Sequence, residues 1–349
     1  MSVMVYGLPD FHYRHEIRHG NNGVFFPILN ALTMHLPKAL DAKAVTLMLV
    51  LCAIWGLQQV VLKATANDIA PIMQIALRSG GAALLVALVM AWRKERMNWR
   101  DGSWRPGLVV GLLFALEFLL VAEGLRHTTA SHMVVFLYTA PIFAALGLHW
   151  RLPAERLGVL QWLGIALAFG GIALAFLGRS GTASVMPGDV LWGDFLGLLA
   201  GVAWAATTVV VRSSVLSKAP ATQTLLYQLI GAFVLLLAGA MATGQARFNP
   251  TPQVWASLAF HTLVVSFASF LVWFWLLRSY LASRLGVFSF LTPLFGMVFG
   301  AWLLKEPLEM RFLLGSVPVL VGIVLVSAGG WVRQWWSRPA SVAGHPPAP

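Results

Sequence analysis

The sequence predicts an all-α polytopic membrane protein with ten transmembrane helices arranged as a 5+5 inverted repeat. Three observations carry that reading. Of the 349 residues, 58% are hydrophobic and only 11% charged, with a mean hydropathy of +0.77; soluble domains are about 25% charged, so this much apolar surface needs lipid as its solvent. The apolar residues gather into runs of about 17–25, the length at which a helix crosses a bilayer. The chain also repeats itself. Trp55–Gln74, WGLQQVVLKATANDIAPIMQ, returns without a gap at Trp204–Gln223 as WAATTVVVRSSVLSKAPATQ. Trp55 falls on Trp204, Val60-Val61 on Val209-Val210, Lys63 on Arg212, Ala70-Pro71 on Ala219-Pro220 and Gln74 on Gln223.

In chain order, residues 1–43 read as an N-terminal extension. Its apolar patch, Val24–Leu29, is too short to span and is not followed by a signal-peptide cleavage site. Met34 heads MHLPKALDAKAV, an ordinary basic lead-in to a first helix, which places residues 1–33 upstream of a second candidate start. Spanning runs follow at about 44–62, 70–92, 107–124, 129–149, 157–178, 195–211, 221–243, 253–277, 285–304 and 312–331. They lack the alternation of barrel strands. The first repeat covers 44–178, the second 190–331, and 332–349 form a tail.

Most of the 24 Lys and Arg fall on one side of this topology. Lys38 and Lys43, the cluster Arg93, Lys94, Arg96, Arg100 and Arg105, then Arg151, Arg156, Arg212, Lys218, Arg278, Arg284, Arg333 and Arg338 share a side. Lys63, Arg126, Arg179, Arg247, Lys305 and Arg311 lie opposite. By the positive-inside rule both termini are expected in the cytoplasm, with the chain multi-pass in the plasma membrane (the inner membrane of a bacterium). Trp331, Trp335 and Trp336 beside Arg333 and Arg338 fit an interfacial anchor. The basic residues form no nucleic-acid-binding motif or face, so no nucleic-acid partner is expected. Cys52 is the one cysteine, which excludes an intrachain disulfide.

The duplication continues beyond the opening stretch. Phe114-Ala115 matches Phe267-Ala268, Arg126 matches Arg278, Ala130-Ser131 matches Ala282-Ser283 and Val135 matches Val287. Pro141 matches Pro293, Glu155 matches Glu306, Gly164 matches Gly315, and Gly171-Ile172 matches Gly322-Ile323. Five helices per repeat is an odd number, so the second repeat enters the membrane from the other face. A pseudo-two-fold axis then lies in the membrane plane, as in many alternating-access transporters. A duplicated scaffold with no transport activity is the rival reading.

In each repeat a first-helix tryptophan is followed eight positions later by a basic residue, then by an Ala-Ser step before the fourth helix and its mid-helix proline. A Glu-x-Leu turn and a glycine-bearing fifth helix complete the order, and the first half adds Arg78. In this order, over about residues 44–330, the chain resembles the EamA-type families of the drug/metabolite transporter superfamily. The resemblance implies a ten-helix carrier of small metabolites, amino acids or toxic compounds. It also implies a central cavity among helices one to four and six to nine, with five and ten peripheral. The chain departs from the pattern at Trp204, which is followed by Ala rather than Gly, and at Glu117, where an apolar residue is expected; the latter leaves the substrate class open.

A charge inside a spanning run is costly and usually faces a cavity or a partner. Glu117, in GLLFALEFLLVAEG, and Arg78, in APIMQIALRSGG, each lie seven residues from the same end of their helices, roughly 10 Å deep at 1.5 Å per residue. An ion pair, a shared zwitterion-binding site and a static structural pair all fit, and Glu117 is a candidate for proton coupling. His261, about 12 Å deep by the same rise, reads either as a protonatable group or as a neutral imidazole bonded to a neighbouring helix. Gln58-Gln59 fall on Thr207-Thr208, a pattern that suits cavity lining or interhelical hydrogen bonding. Tyr138 and Ser289 precede Pro141 and Pro293, where kinks would free carbonyls toward a cavity. Tyr227-Gln228 stand where the first half has Arg78.

Gly164, Gly171, Gly315 and Gly322 fit close helix packing, one use of which is a homodimer contact. Glu155 and Glu306, at loop ends, are expected to cap or orient the fifth and tenth helices. The partners expected are a small-molecule substrate and the lipid bilayer, with no metal or cofactor. An enzyme is not expected, because the chain has no His-Glu-x-x-His motif, nucleophile elbow or phosphate loop. A flippase of lipid-linked precursors is the runner-up; it would need a laterally open cavity with a basic rim. A channel would show a ring of equivalent charges.

Overall fold

The computed structural model describes residues 41–95, 97, 101–153, 156–177, 187–280, 288–289 and 291–336. The N-terminal extension with its second candidate start, the Ala282-Ser283 step, Glu155 and the tail beyond residue 336 lie outside them. The described residues are helical, apart from turns, an isolated bridge between Ile69 and Phe248, and a bridge residue at Tyr280.

Asp41 caps α1 (Ala42–Ala64) by accepting from the Ala44 N–H at 2.8 Å. Pro71 starts α2 (Pro71–Trp92), where its missing N–H costs nothing. After α3 (Trp104–His127), Thr129 caps α4 (Ala130–Leu137). The chain breaks at Tyr138–Thr139, just before Pro141, and resumes as α5 (Ala140–Arg151), so the fourth span is kinked at its proline. Then come α6 (Val159–Leu177), α7 (Pro187–Ser213) and α8 (Ala221–Ala242). The eighth span starts as α9 (Pro252–Ala259), widens into a π-helical stretch, Phe260–Ala268, and returns to α geometry as α10 (Ser269–Ser279). Helices α11 (Leu291–Leu303) and α12 (Met310–Trp336) close the chain. Among the described residues seven helices are long and apolar enough to cross a membrane, and Val159–Leu174, Leu291–Leu303 and Phe312–Val326 are shorter apolar helices; together they match the ten expected spans.

Hydrogen bonds across the bundle fix which helix ends lie together. Tyr280 donates to Asp41 at 2.9 Å and Thr222 to Glu95 at 2.7 Å, beside Arg93, Lys94, Arg151 and Lys218; we call this the basic end. At the opposite end, Lys63 Nζ donates to the carbonyls of Leu125 (2.6 Å) and Thr128 at the C-terminus of α3. The loops after α1 and α8 zip together there, with Asn249 N–H donating to Asp68 O at 2.9 Å and Ala70 N–H to Arg247 O at 3.3 Å. Exposed tryptophans ring both ends: Trp92, Trp104, Trp150, Trp162 and Trp275 at the basic end, and Trp192, Trp255 and Trp302 at the other. Between these belts leucine and valine side chains such as Leu84, Leu88, Leu112 and Val298 face outward. This is the surface of a protein solvated by lipid, with aromatic rings at the headgroup level.

The glycines meet inside the chain. A Cβ on Gly164 would stand 2.8 Å from the Gly322 carbonyl, and one on Gly171 would stand 2.6 Å from that of Gly315. They are consumed in the packing of α6 along α12, so they give no argument for a homodimer.

Candidate functional site

A small cavity of about 20 Å³, room for about one water molecule, lies between helices of the bundle. Its wall is built from α1 (Trp55, Gln58), α2 (Arg78, Ser79), α3 (Phe114, Phe118), α8 (Leu229) and the eighth span (Val265, Ser266, Phe270). Among the described residues, the fifth and tenth spans contribute none to that wall. Both repeats meet at it, as a site on a pseudo-two-fold axis requires.

Arg78 dominates its chemistry. The residue is 3% exposed, and its Cζ lies 4.5 Å from the centre of the Phe118 ring, a cation–π contact in a desolvated place. Among the described residues its Nε has no hydrogen-bond partner. Glu117, buried on α3, acts electrostatically on Arg78 and on Tyr138. A guanidinium held over an aromatic ring with its Nε unspent fits a carboxylate or another planar anion. The rest of the wall, three phenylalanines and Trp55 with Gln58 and two serine hydroxyls, suits an amphiphilic organic molecule rather than a bare ion.

Trp55 is held rigidly: its Nε1 donates to Ser269 Oγ at 3.0 Å, and its ring meets Trp273 edge-on at 5.8 Å. The π-helical stretch matters because it changes which side chains of the eighth span face inward. It places Val265 and Ser266 in the wall and His261 one turn beyond it. His261 is fully buried, with Nε2 3.1 Å from the Gln58 backbone oxygen and Nδ1 2.8 Å from that of Ser257. Gln74 Nε2 lies 3.2 Å from the same Nδ1. The imidazole thus ties the eighth span to α1 and α2.

Of the residues singled out from the sequence, Gln58 and Arg78 line the cavity, while Glu117 acts on Arg78, and Arg78 on His261, from beside it. Gln59, Tyr138, Thr207, Thr208 and Ser289 are buried but are not part of the wall. Thr207 and Thr208 donate back to their own helix, to Ala203 O at 3.0 Å and Trp204 O at 3.2 Å. Tyr138 packs edge-on against Trp204 with ring centres 5.3 Å apart. Carbonyls close to Pro141 and Pro293 find partners of their own. Phe136 O accepts from Thr139 Oγ1 at 2.6 Å, and Phe288 O, next to Ser289, accepts from Cys52 Sγ at 3.1 Å. Gln59 Oε1 lacks a partner among the described residues.

Two features escaped the sequence reading. Asp194 of α7 is a second buried acid. Its two oxygens each lie 3.0 Å from His132 Nδ1, Thr128 Oγ1 donates to it, and the imidazole stacks on Phe312 at 3.7 Å. Asp194 sits at the edge of its apolar run, where an acid reads as a loop residue. Glu306 caps α4 rather than the tenth span, accepting from Ala130 N–H at 2.7 Å, Ser131 N–H at 3.0 Å and Ser131 Oγ at 2.7 Å.

The EamA-like transporter family matches this chain twice, over residues 42–177 and 191–328. An uncharacterized transporter of Archaeoglobus fulgidus is 26% identical over 69% of this chain and 83% of its own length. Uncharacterized protein PA1977 of Pseudomonas aeruginosa is 32% identical over 76% of this chain and 87% of its own. A probable amino-acid metabolite efflux pump of Escherichia coli is 28% identical over 80% and 93%. A solved crystal structure shares the fold, with a TM-score of 0.58 at 15% identity over 85% of this chain and all of that one. The doubled match, the ten-span count and the cavity between repeats agree: the chain is a multi-pass membrane protein that belongs to the EamA-like transporter family.

Proposed function

We propose that this chain is a secondary transporter that exports a small carboxylate-bearing metabolite, an amino acid or an amino-acid analogue, by alternating access across the bacterial inner membrane. The single observation that carries the reading is Arg78. A buried guanidinium with an unpartnered Nε, at the wall of a cavity shared by both repeats, supports an anchor for the substrate's carboxylate. Gln58, Ser79 and Ser266 supply neutral hydrogen-bonding groups for the remaining polar atoms, and Phe114, Phe118, Phe270 and Trp55 hold the apolar part. Glu117 supplies the opposite charge beside Arg78, suited to an ammonium group or to a proton that moves with the substrate. The relative named as an amino-acid metabolite efflux pump supports the substrate class and the direction. The cytoplasmic placement of the basic end follows from the positive-inside rule.

The test is a growth-inhibition screen of cells overexpressing the protein against amino acids, analogues and antimetabolites. Tolerance to at least one carboxylate compound should rise, Arg78→Ala should abolish that gain, and Arg78→Lys should keep part of it. Equal protection by Arg78→Ala would overturn the assignment of the carboxylate anchor.

A further inference from the structure

We propose that two symmetry-related latches, Gln74–Ser257 and Gln223–Ser103, are the gates that close the cavity at its two ends. Their purpose rests on the alternating-access reading; their closure is a matter of side chains alone. Gln74 Nε2 of α2 donates to Ser257 Oγ of α9, near the end opposite the basic one. Gln223 Nε2 of α8 donates to Ser103 Oγ at the head of α3, at 2.9 Å, near the basic end. Gln74 and Gln223 are matched positions of the two repeats. Each latch therefore joins the second span of one repeat to the third span of the other, and the two-fold axis exchanges them. All four residues are buried.

The correspondence extends one turn further in each case. Four residues on from Gln74 and Ser257 stand Arg78 and His261, and the charge of Arg78 acts on that imidazole. Four residues on from Gln223 and Ser103 stand Tyr227 and Gly107. The Tyr227 ring lies so close that a Cβ on Gly107 would stand 2.7 Å from its carbons. Each latch thus sits between the cavity wall and one mouth of the bundle, with Arg78 and His261 beneath one and Tyr227 against Gly107 beneath the other. Both latches are neutral amide–hydroxyl bonds, so parting one exposes no unpaired charge.

The two ends are not reinforced alike. At the end opposite the basic one, Thr65 Oγ1 donates to Gln74 Oε1 at 2.8 Å, and His261 reaches the Gln58 backbone oxygen. At the basic end the latch is backed by the ring-on-glycine contact, by Thr222, which donates to Glu95 at 2.7 Å, and by Tyr280, which donates to Asp41 at 2.9 Å.

The experiment reads accessibility and needs no known substrate. In a Cys52→Ser background, which removes the one native cysteine, Ser266→Cys reports from the cavity wall. A membrane-impermeant maleimide is applied to vesicles of either orientation. Oxidising a Gln74→Cys/Ser257→Cys pair should confine labelling to the basic end, and oxidising Gln223→Cys/Ser103→Cys should confine it to the other, each by about tenfold or more. Gly107→Leu, which wedges Tyr227 away without any cross-link, should speed labelling from the basic end. Unchanged labelling through a locked end, or no effect of Gly107→Leu at the basic end, would overturn the proposal. Labelling that follows the latches while no compound in the growth screen is tolerated better would uphold the gates and remove the transport reading.

Discussion

Lys94 and Gly244 occupy the same place in their repeats, two residues past the end of the second span, and both have a left-handed backbone, φ 57° and 67°. Glycine adopts that conformation freely, whereas a side chain there costs roughly 1 kcal/mol. Lys94→Gly should raise the thermal unfolding temperature in detergent, by an amount corresponding to about 1 kcal/mol. Lys94→Ala, which removes the charge but keeps the Cβ, should not; equal effects would assign the gain to charge. The His132–Asp194 pair is a larger lever at the same scale. Removing one member of a buried pair strands the other, at about 3–5 kcal/mol, so Asp194→Ala should lower the unfolding temperature sharply. The double change His132→Phe/Asp194→Leu should recover most of that loss, because Phe312 and Phe136 already offer apolar faces to the ring. Neither effect was legible beforehand. An acid at the margin of an apolar run has no sequence mark of burial, and a backbone angle has none either.

Among the elements, the break in the fourth span was legible because proline announces itself, and Pro141 sits where the helix parts at Tyr138–Thr139. The π-helical stretch was not. FHTLVVSFA contains no proline or glycine and reads as ordinary helix; its widened turn is settled by tertiary contacts such as that of His261 with the Gln58 carbonyl. A π turn behaves as an inserted residue in an α-helix and is frequent at functional sites. Inserting an alanine after Val264 adds a residue beyond the one the widened turn already takes up, and should rotate the residues on one side of it by roughly 100°. His261 and Ser266 could then no longer face their present partners together. Expression and membrane insertion should survive while tolerance in the growth screen is lost; retained tolerance would show the stretch to be dispensable. The glycine seam was legible as close packing, but the partner was not, because a period of seven is the same for a contact within a chain and between chains. Gly171→Leu would press against the Gly315 carbonyl and Val319 backbone, so it should destabilise the monomer rather than alter its assembly.

At the scale of the whole molecule, the doubled motif and the run lengths made the ten-span inverted architecture readable, since each span must bury or lipidate its whole length. Only part of the cavity was readable from charge. Arg78 stood out, but Ser79, Phe114, Phe118 and Phe270 look like any other residues of an apolar helix until the packing sets them around one space. Orientation is the remaining molecular property. The basic end gathers Arg93, Lys94, Arg105, Arg151, Arg156 and Lys218 in and beside its short loops. Such a concentration of Lys and Arg weighs against translocation, so the basic end should remain in the cytoplasm. With an even number of spans, both termini follow it. A fluorescent protein fused after residue 349 should therefore glow, and alkaline phosphatase at the same place should be silent, while Asn67→Cys in the loop after α1 should react with an impermeant maleimide added outside intact cells. Phosphatase activity at the C-terminus would place the basic end outside, and the direction of export would have to be reversed with it.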